Sequence, residues 1–284
     1  MDIYLVEAII NGILLGGVLA LLALGLNLIF GVIDVVWIAY ADIVMCGMYL
    51  IYWLYVVLGW PLLLASAVTV ISLALFGGLV HLLIIEPILG SAPINQLLAT
   101  GGLLFFLQSF ATLMFGTDFR NVGVRLPVIA FGDIYISCAR LLAFATALVG
   151  SIALYFFLKS TFIGTAIRAI AQDRDIIGLM GADQRRIYLV TSMIGGALGG
   201  LAACLLALQY DVHPFIGNTF GPLIFMICVL GGLGDMIGGF IAAFVISQII
   251  AIGGYYSNTE LSYVLAFTFF IVLMFARPRG ILRR

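Results

Sequence analysis

Charged residues are scarce in this 284-residue chain, which has 12 Lys and Arg and 13 Asp and Glu, or 9% of its length. The surface of a soluble domain is normally about a quarter charged, so this composition cannot cover a water-soluble globule. Apolar residues make up 64% of the chain, and its mean hydropathy is +1.28. The scarcity of charge therefore excludes a soluble protein and indicates a membrane protein.

Several signatures of chemistry are also missing. The sole lysine, Lys159, follows a leucine, whereas a Walker P-loop needs a lysine after glycine, so the chain has no such ATP site. No HExxH motif, carboxylate pair, nucleophile elbow or basic stripe is present. Four cysteines lack metal-ligand spacing and are expected to be small buried apolar residues: Cys46, Cys138, Cys204 and Cys228. We therefore expect neither enzyme activity nor a metal, a cofactor or a nucleic-acid partner.

Apolar runs long enough to cross a membrane recur along the whole chain. Crossing roughly 30 Å of hydrocarbon takes about 20 helical residues, and no alternating ten-residue pattern indicates a β-barrel. Nine segments qualify: 6–30, 36–58, 61–85, 94–115, 136–158, 187–209, 220–233, 237–253 and 261–276. Because only helices satisfy their own backbone in lipid, the sequence predicts an all-α fold, a single polytopic transmembrane helical bundle of about 8 to 9 spans over residues 1–284.

The basic residues predict the orientation of this bundle. Nine of the twelve lie in two places, a loop at 159–186 and the C-terminus from 277 onwards, which the positive-inside rule puts in the cytoplasm. The other three, Arg120, Arg125 and Arg140, then fall at the opposite face. Nine crossings with the N-terminus outside fit this pattern. Eight spans and one re-entrant segment, with the N-terminus inside, fit it as well.

Glycine spacing predicts close helix packing. The stretches NGILLGG (11–17) and MIGGALGG (193–200) place glycines four residues apart, on one helix face. A Gly-rich helix, a polar break and a second apolar helix also occur twice, at 11–58 and at 194–233. The two breaks are predicted near opposite faces of the membrane, which makes the two halves a candidate inverted repeat.

Polar side chains inside apolar segments are the candidates for function, because they are expensive in hydrocarbon. Asp34 is expected to cap a helix N-terminus at the cytoplasmic edge. Asp42 lies several residues inside the second apolar segment. Two roles stay open for it: it faces a water-filled path, or it is structural. For the buried amides, an interhelical hydrogen bond is the alternative to a contact with a solute. The candidates for a substrate path are Tyr40, Asp42, Asn27, Gln108 and Asn218.

One segment differs from the rest of the chain. The stretch GTAIRAIAQDRDIIGLMGADQRRI (164–187) contains seven charged residues in 24. A lipid-bound amphipathic helix would carry more Lys and Arg and fewer acids. Its apolar side chains at 167, 170, 176, 177, 179 and 180 are therefore expected to dock onto another protein.

This stretch resembles the cytoplasmic coupling segment of the permeases of branched-chain amino acid ABC importers. NGILLGGVLALLALGLNLIFGV, EPILGSAPINQLLATGGL, VLGGLGDMIGGFIAA and FARPRGIL are similar to other motifs of that family, nearly end to end. The chain looks like the shorter of the two permease subunits. The resemblance implies a transport subunit in the bacterial cytoplasmic (inner) membrane, with a coupling segment at 160–186.

The resemblance also implies partners. These are a second related permease subunit, two ABC ATPase subunits that use ATP, and an extracytoplasmic substrate-binding protein. By match to the family's coupling motif, the residues that would seat in the ATPase are Arg168, Ala169, Gln172, Asp173, Leu179 and Gly181.

The chain departs from the family pattern after its first helix. Where the family typically has Asn-Phe-Ala-His-Gly-Glu, this sequence has WIAYAD, residues 37–42. The expected cargo is a branched-chain or related hydrophobic amino acid. Urea, short amides or aromatic acids stay open as cargo, and a passive solute channel or an ion-coupled carrier stays open as a mechanism.

Overall fold

The computed structural model describes residues 3–124, 127–131, 134–172 and 183–277. Most of this part of the chain is helical. The helices are α1 (Ile3–Ile33), α2 (Tyr40–Tyr52, continued by a π-helical turn, Trp53–Val57), α3 (Leu62–Val80, continued by a π-helical turn, His81–Ile85, and a last turn, Glu86–Ile88), α4 (Pro93–Phe115), α5 (Cys138–Ser160), α6 (Phe162–Gln172), α7 (Gln184–Ala207), α8 (Gly217–Gly231), α9 (Met236–Tyr256) and α10 (Thr259–Ala276).

Each of the nine predicted apolar segments corresponds to a helix. In the described part of the chain, seven helices are long and apolar enough to cross a membrane, and α8 and α10 are shorter apolar helices. A small antiparallel hairpin, Val128–Phe131 with Ile134–Ser137, precedes α5. The prediction of an all-α polytopic bundle is confirmed.

Contacts between helix ends give the direction of the helices. At one end, Arg140 at the start of α5 donates a hydrogen bond to Asn11 near the start of α1 (2.8 Å). At the other end, Arg185 at the start of α7 forms an ion pair with Glu86 at the end of α3 (2.8 Å). The start of α1 therefore lies away from the cation-rich segment, as the nine-crossing alternative with an external N-terminus requires.

Small residues bring the central helices together. Helix α1 is buried continuously from Gly16 to Ile29. A Cβ atom added at Gly12 would lie 2.9 Å from Gln248 of α9, and one added at Gly196 would meet the backbone of α3 at Leu73. The prediction of close packing at these glycines is confirmed.

Candidate substrate path

The first interruption separates α1 from α2. Helix α1 ends at Ile33, and Asp34 adopts a left-handed backbone conformation (φ 61°), which an aspartate tolerates better than most residues. Asp34 therefore follows the C-terminus of α1. The residue that precedes α2 is Ala39, so the prediction that Asp34 caps this helix is wrong. The Thr100 hydroxyl of α4 lies within hydrogen-bond distance of the Val36 carbonyl (3.1 Å) and of the Gln96 carbonyl in its own helix (3.0 Å), so its single donor is shared between the non-helical segment and α4. Such backbone is tolerated in a membrane protein where it is buried or lines a cavity.

The second interruption separates α7 from α8. The connecting loop runs beside the loop after α4, where Arg120 and Val212 form a two-residue β-bridge. Helix α8 then begins at Gly217, directly against Asp42 of α2: a Cβ added at Gly217 would lie 2.8 Å from the Asp42 Cγ atom. The two breaks lie towards opposite ends of the bundle, as an inverted repeat requires. The repeat itself stays a prediction.

A cavity of about 280 Å³ lies between the first turns of α2 and α8, the helices that follow the two interruptions. This is just below the range of about 300–1,000 Å³ that is typical for pockets holding drug-sized ligands, so it suits a small solute. Most of its wall is apolar. Its lining residues are Leu26, Trp37, Ile38, Tyr40, Ala41, Asp42, Leu104, Gly217, Asn218, Gly221, Pro222, Ile224 and Phe225.

Three of the predicted path residues are linked by hydrogen bonds beside this cavity, and two of them, Asp42 and Asn218, line it. The Gln108 side-chain amide donates one hydrogen bond to Asp42 Oδ1 (2.9 Å) and one to Asn218 Oδ1 (2.8 Å). These side chains come from α4, α2 and α8, so a single amide ties three helices together. We call Asp42, Gln108 and Asn218 the polar cluster.

The carboxylate of the polar cluster is deeply buried. Asp42 is 1% exposed, and no salt bridge to a Lys, Arg or His of the described chain reaches it. Its charge is compensated by the Gln108 amide and by the positive end of α8, which begins beside it. Both are partial charges. A cationic group of a solute would therefore add a favourable interaction that the described residues do not supply.

Tyr40 lines the same cavity with its ring, but its hydroxyl is engaged elsewhere. It donates a hydrogen bond to the Gly195 carbonyl of α7 (3.1 Å), in a space left open by Gly25 and Gly199. A side chain added at either glycine would contact the hydroxyl. Tyr40 therefore fixes the start of α2 against α1 and α7 and forms a rigid wall of the cavity.

Asn27 does not line this cavity. Its amide nitrogen donates to the Asp235 carbonyl (3.3 Å), and its amide oxygen accepts from the Gly234 amide (3.3 Å). These bonds hold the tight turn between α8 and α9, where Asp235 caps α9 through Ile237 and Gly238. The structure thus places Asn27 at a helix junction. Of its two predicted roles, it has the interhelical hydrogen bond and not the contact with the cavity.

Helix α6 contains the described part of the coupling segment. Arg168 and Gln172 are exposed, and Ala169 is half-buried. Ile167 and Ile170 are 0% and 1% exposed within the chain itself. The prediction that these two isoleucines dock onto another protein is wrong, because α6 folds back onto α5, α1 and α7 and buries them there. The other predicted coupling residues, Asp173, Leu179 and Gly181, lie outside the described residues, as do residues 176, 177 and 180.

The turn that folds α6 back requires a glycine. A Cβ added at Gly164 would lie 2.5 Å from the Leu158 Cα atom and would also meet the Phe157 carbonyl. Thr161 supports the same turn by accepting a hydrogen bond from the Gly164 amide (3.0 Å). The exposed edge of α6 is therefore held in a fixed position at the cation-rich end of the bundle.

Sequence reasoning missed two supports of the cavity. Thr100, which contacts the segment 34–39, lies in a stretch whose only signal in the sequence is its similarity to a family motif. Gly217, which admits the carboxylate beside α8, is one of 33 glycines and carries no distinguishing local signal.

Comparison with known proteins gives one consistent picture. The family model described as "Branched-chain amino acid transport system / permease component" matches residues 8–274. The chain is 28% identical to the high-affinity branched-chain amino acid transport system permease protein LivH of Escherichia coli K12, over 99% of this chain and 96% of LivH. It is also 28% identical to the corresponding protein BraD of Pseudomonas aeruginosa, over 98% of this chain and 95% of BraD.

A solved structure shares the fold. PsaBC from Streptococcus pneumoniae, in complex with a Fab, superimposes with a TM-score of 0.52 over 95% of this chain and 91% of that chain. The sequences are 14% identical, so this likeness concerns the architecture of the bundle alone.

Proposed function

We propose, from the premise that this chain belongs to the family of branched-chain amino acid transport permease components, that it is the permease subunit of an ATP-driven importer for branched-chain or related hydrophobic amino acids. The observation that best supports this is the buried Asp42 carboxylate, bonded by Gln108 in an otherwise apolar cavity. The E. coli and P. aeruginosa relatives are named high-affinity branched-chain amino acid transport permease proteins, which favours the same cargo.

The cavity chemistry fits a zwitterion with an apolar side chain. An ammonium group adds the full positive charge that the surroundings of Asp42 lack, while the leucine, isoleucine and phenylalanine residues of the wall suit an aliphatic side chain. Gln108 and Asn218 keep the carboxylate oriented without neutralising it. The cavity thus serves as a weak, transient station along the path.

Transport by this subunit requires partners. A second related permease subunit would complete the path, an extracytoplasmic binding protein would deliver the cargo, and two ATPase subunits would bind and hydrolyse ATP. The chain itself then needs no cofactor. This division of labour agrees with a sequence that has no Walker motif.

Helix α6 is suited to transmit movement from an ATPase to the cavity. Arg168 and Gln172 face outward, while Ile167 and Ile170 anchor the opposite side of α6 in the core. A force on the exposed side therefore reaches α1 and α7, the helices that precede the two interruptions. Interruptions allow the helix segments on either side to change angle, which is the kind of two-state element that alternating access requires.

Uptake by proteoliposomes that contain the whole transport complex tests this function. We expect ATP-dependent uptake of radiolabelled leucine, isoleucine or valine. Gln108→Leu should reduce it about tenfold or more, because a hydrogen bond to a charged group contributes about 1.5–3 kcal/mol. Arg168→Glu should abolish the dependence on ATP. The matched controls are Thr112→Val and Thr165→Ala, whose hydroxyls bond only their own helix or its preceding turn.

The possible outcomes separate the alternatives. Flux that is independent of ATP and survives Arg168→Glu would indicate a passive channel. ATP-dependent uptake of urea or acetamide, without uptake of amino acids, would keep the importer and replace the cargo. If Gln108→Leu and Thr112→Val reduced uptake equally, the polar cluster would have no specific role in the substrate path.

A further inference from the structure

Two buried polar atoms of the described chain have no hydrogen-bond partner: the Trp37 indole nitrogen and the Tyr49 hydroxyl. Such groups are rare, and leaving one unsatisfied is costly, so each calls for an explanation. Only Trp37 is among the residues that line the 280 Å³ cavity. Tyr49 stacks on Phe115 with a centroid distance of 4.3 Å, away from the cavity lining.

The indole of Trp37 is held firmly in place. It is 2% exposed and lies in the non-helical segment between α1 and α2, five residues before Asp42. Its ring is 6.5 Å from that of Tyr40, which is itself fixed by its bond to Gly195. The segment also lies against the Thr100 hydroxyl, which is 3.1 Å from the Val36 carbonyl. A donor placed this rigidly is pre-organised for an acceptor that arrives from outside the chain.

The lining of the cavity therefore includes a donor side chain and an acceptor side chain. An indole N–H is a donor only, and a carboxylate is an acceptor only. Trp37 and Asp42 both line the cavity, and the rest of the lining is apolar apart from Tyr40 and Asn218. A ligand that satisfies both groups needs an acceptor at one point and a cationic donor at another, together with an apolar body. These are the features of a zwitterionic α-amino acid.

We infer that the Trp37 indole N–H binds the carboxylate of a cargo amino acid whose ammonium group lies at Asp42. The membrane cavity then selects for both ends of the zwitterion, independently of any selection by an extracytoplasmic binding protein. This assignment rests on the proposed function and adds to it a specificity residue. Trp37 discriminates against amides, esters and amines of the same side chain, because these lack an anionic acceptor for its N–H.

Binding to the purified transport complex, without the extracytoplasmic binding protein, tests the assignment. Displacement of radiolabelled leucine by leucine, leucinamide and 3-methylbutylamine is measured, with phenylalanine and its amide as a second pair. In the parent complex the free acid should displace about tenfold better than the amide, as expected for one hydrogen bond to a charged group. Trp37→Phe removes the N–H and keeps an aromatic ring. It should weaken binding of the acid more than that of the amide, whose carbonyl accepts only a neutral hydrogen bond, and so bring the two affinities close together.

Tyr49→Phe is the matched control, because it removes the other unpartnered group and should preserve the tenfold preference. Thermal unfolding of each variant reports whether it is folded. A parent complex that binds acid and amide equally, or that binds neither, overturns the assignment without any variant. A Trp37→Phe complex that keeps the preference overturns it as well. In all of these cases ATP-dependent amino acid uptake would still support the proposed function, whereas loss of that uptake in the parent would remove both.

Discussion

Replacing Gly217 by alanine places a methyl group against the carboxylate on which the proposed path depends. The added Cβ would lie 2.8 Å from Asp42 Cγ and 3.2 Å from Asp42 Oδ2. Both separations are shorter than ordinary contacts between such atoms. Helix α8 is tied to the polar cluster through the neighbouring Asn218, so it cannot withdraw without breaking the bond to Gln108. The carboxylate has to move instead.

The magnitude follows from what the displacement breaks. The bond from Gln108 to Asp42, 2.9 Å long, is a hydrogen bond to a charged group and contributes about 1.5–3 kcal/mol in soluble proteins. Polar contacts in membrane proteins average about 0.6 kcal/mol, but overpacking adds about 1–3 kcal/mol of its own. The gain from alanine in a helix is at most about 1 kcal/mol and is smaller at a first turn. Because about 1.4 kcal/mol corresponds to a factor of ten, the lower values of these terms give a fall in uptake of about threefold, and the higher values give more than tenfold.

Gly221→Ala is a matched control on the same helix and in the same cavity wall. A Cβ added there would lie 3.5 Å from the Ala41 Cβ, an ordinary van der Waals contact. The initial rate of ATP-dependent leucine uptake and the thermal midpoint are measured for both variants. Gly221→Ala should match or exceed the parent in stability and should lower uptake less than Gly217→Ala does. Parent-like uptake by Gly217→Ala would refute the idea that the Asp42 geometry matters for the path.

Two further predictions concern structure outside the cavity. Asn27→Leu should lower the stability of the complex by about 1–2 kcal/mol, because it removes both hydrogen bonds to the turn at Gly234 and Asp235. The ratio of leucine binding to leucinamide binding should stay as in the parent. A changed ratio would indicate that Asn27 does take part in the substrate path. His213, in the loop before α8, packs on the Phe119 ring at 4.7 Å, and burial lowers its pKa more than nearby Asp211 raises it. Its neutral form therefore stabilises the folded state fully above pH about 6.5, and this contribution is lost as the pH falls below that value. The thermal midpoint should drop between pH 7.5 and 5.5 in the parent and drop less in His213→Gln, and equal drops would contradict this.

The helices and the members of the polar cluster could be predicted from sequence, but their meeting could not. Asp42 and Gln108 are predicted as path residues because polar groups are costly in apolar segments. They are 66 residues apart, and Asn218 is 110 residues beyond Gln108, so no local pattern places them together. Asn27 and Gln108 are both amides within apolar segments. Only the fold distinguishes Asn27, which holds a turn, from Gln108, which bonds Asp42 and Asn218 beside the cavity.

The amphipathic character of the charged segment was also predictable, whereas the surface that covers it was not. Apolar residues at 167 and 170 require burial, but the sequence pattern is the same whether the cover is a partner or the chain itself. Gly164 decides between them, because it permits α6 to turn back against the end of α5. Arg168 on the exposed side of α6 then remains for a partner, which keeps a coupling role compatible with the corrected packing.

The departure from the family motif after α1 has a physical consequence at the cavity. Trp37 and Tyr40 fill volume that smaller side chains would leave open. The Tyr40 hydroxyl already donates its hydrogen bond to the Gly195 carbonyl. That leaves the indole N–H as the unsatisfied donor and Asp42 as the carboxylate in this wall. A cavity with one free donor, one carboxylate and an apolar remainder favours an amino acid over urea or a short amide, because those solutes carry no cation for Asp42 and no apolar body for the wall. Selectivity for amino acids over their amides is therefore the property that most directly connects this sequence to its cargo.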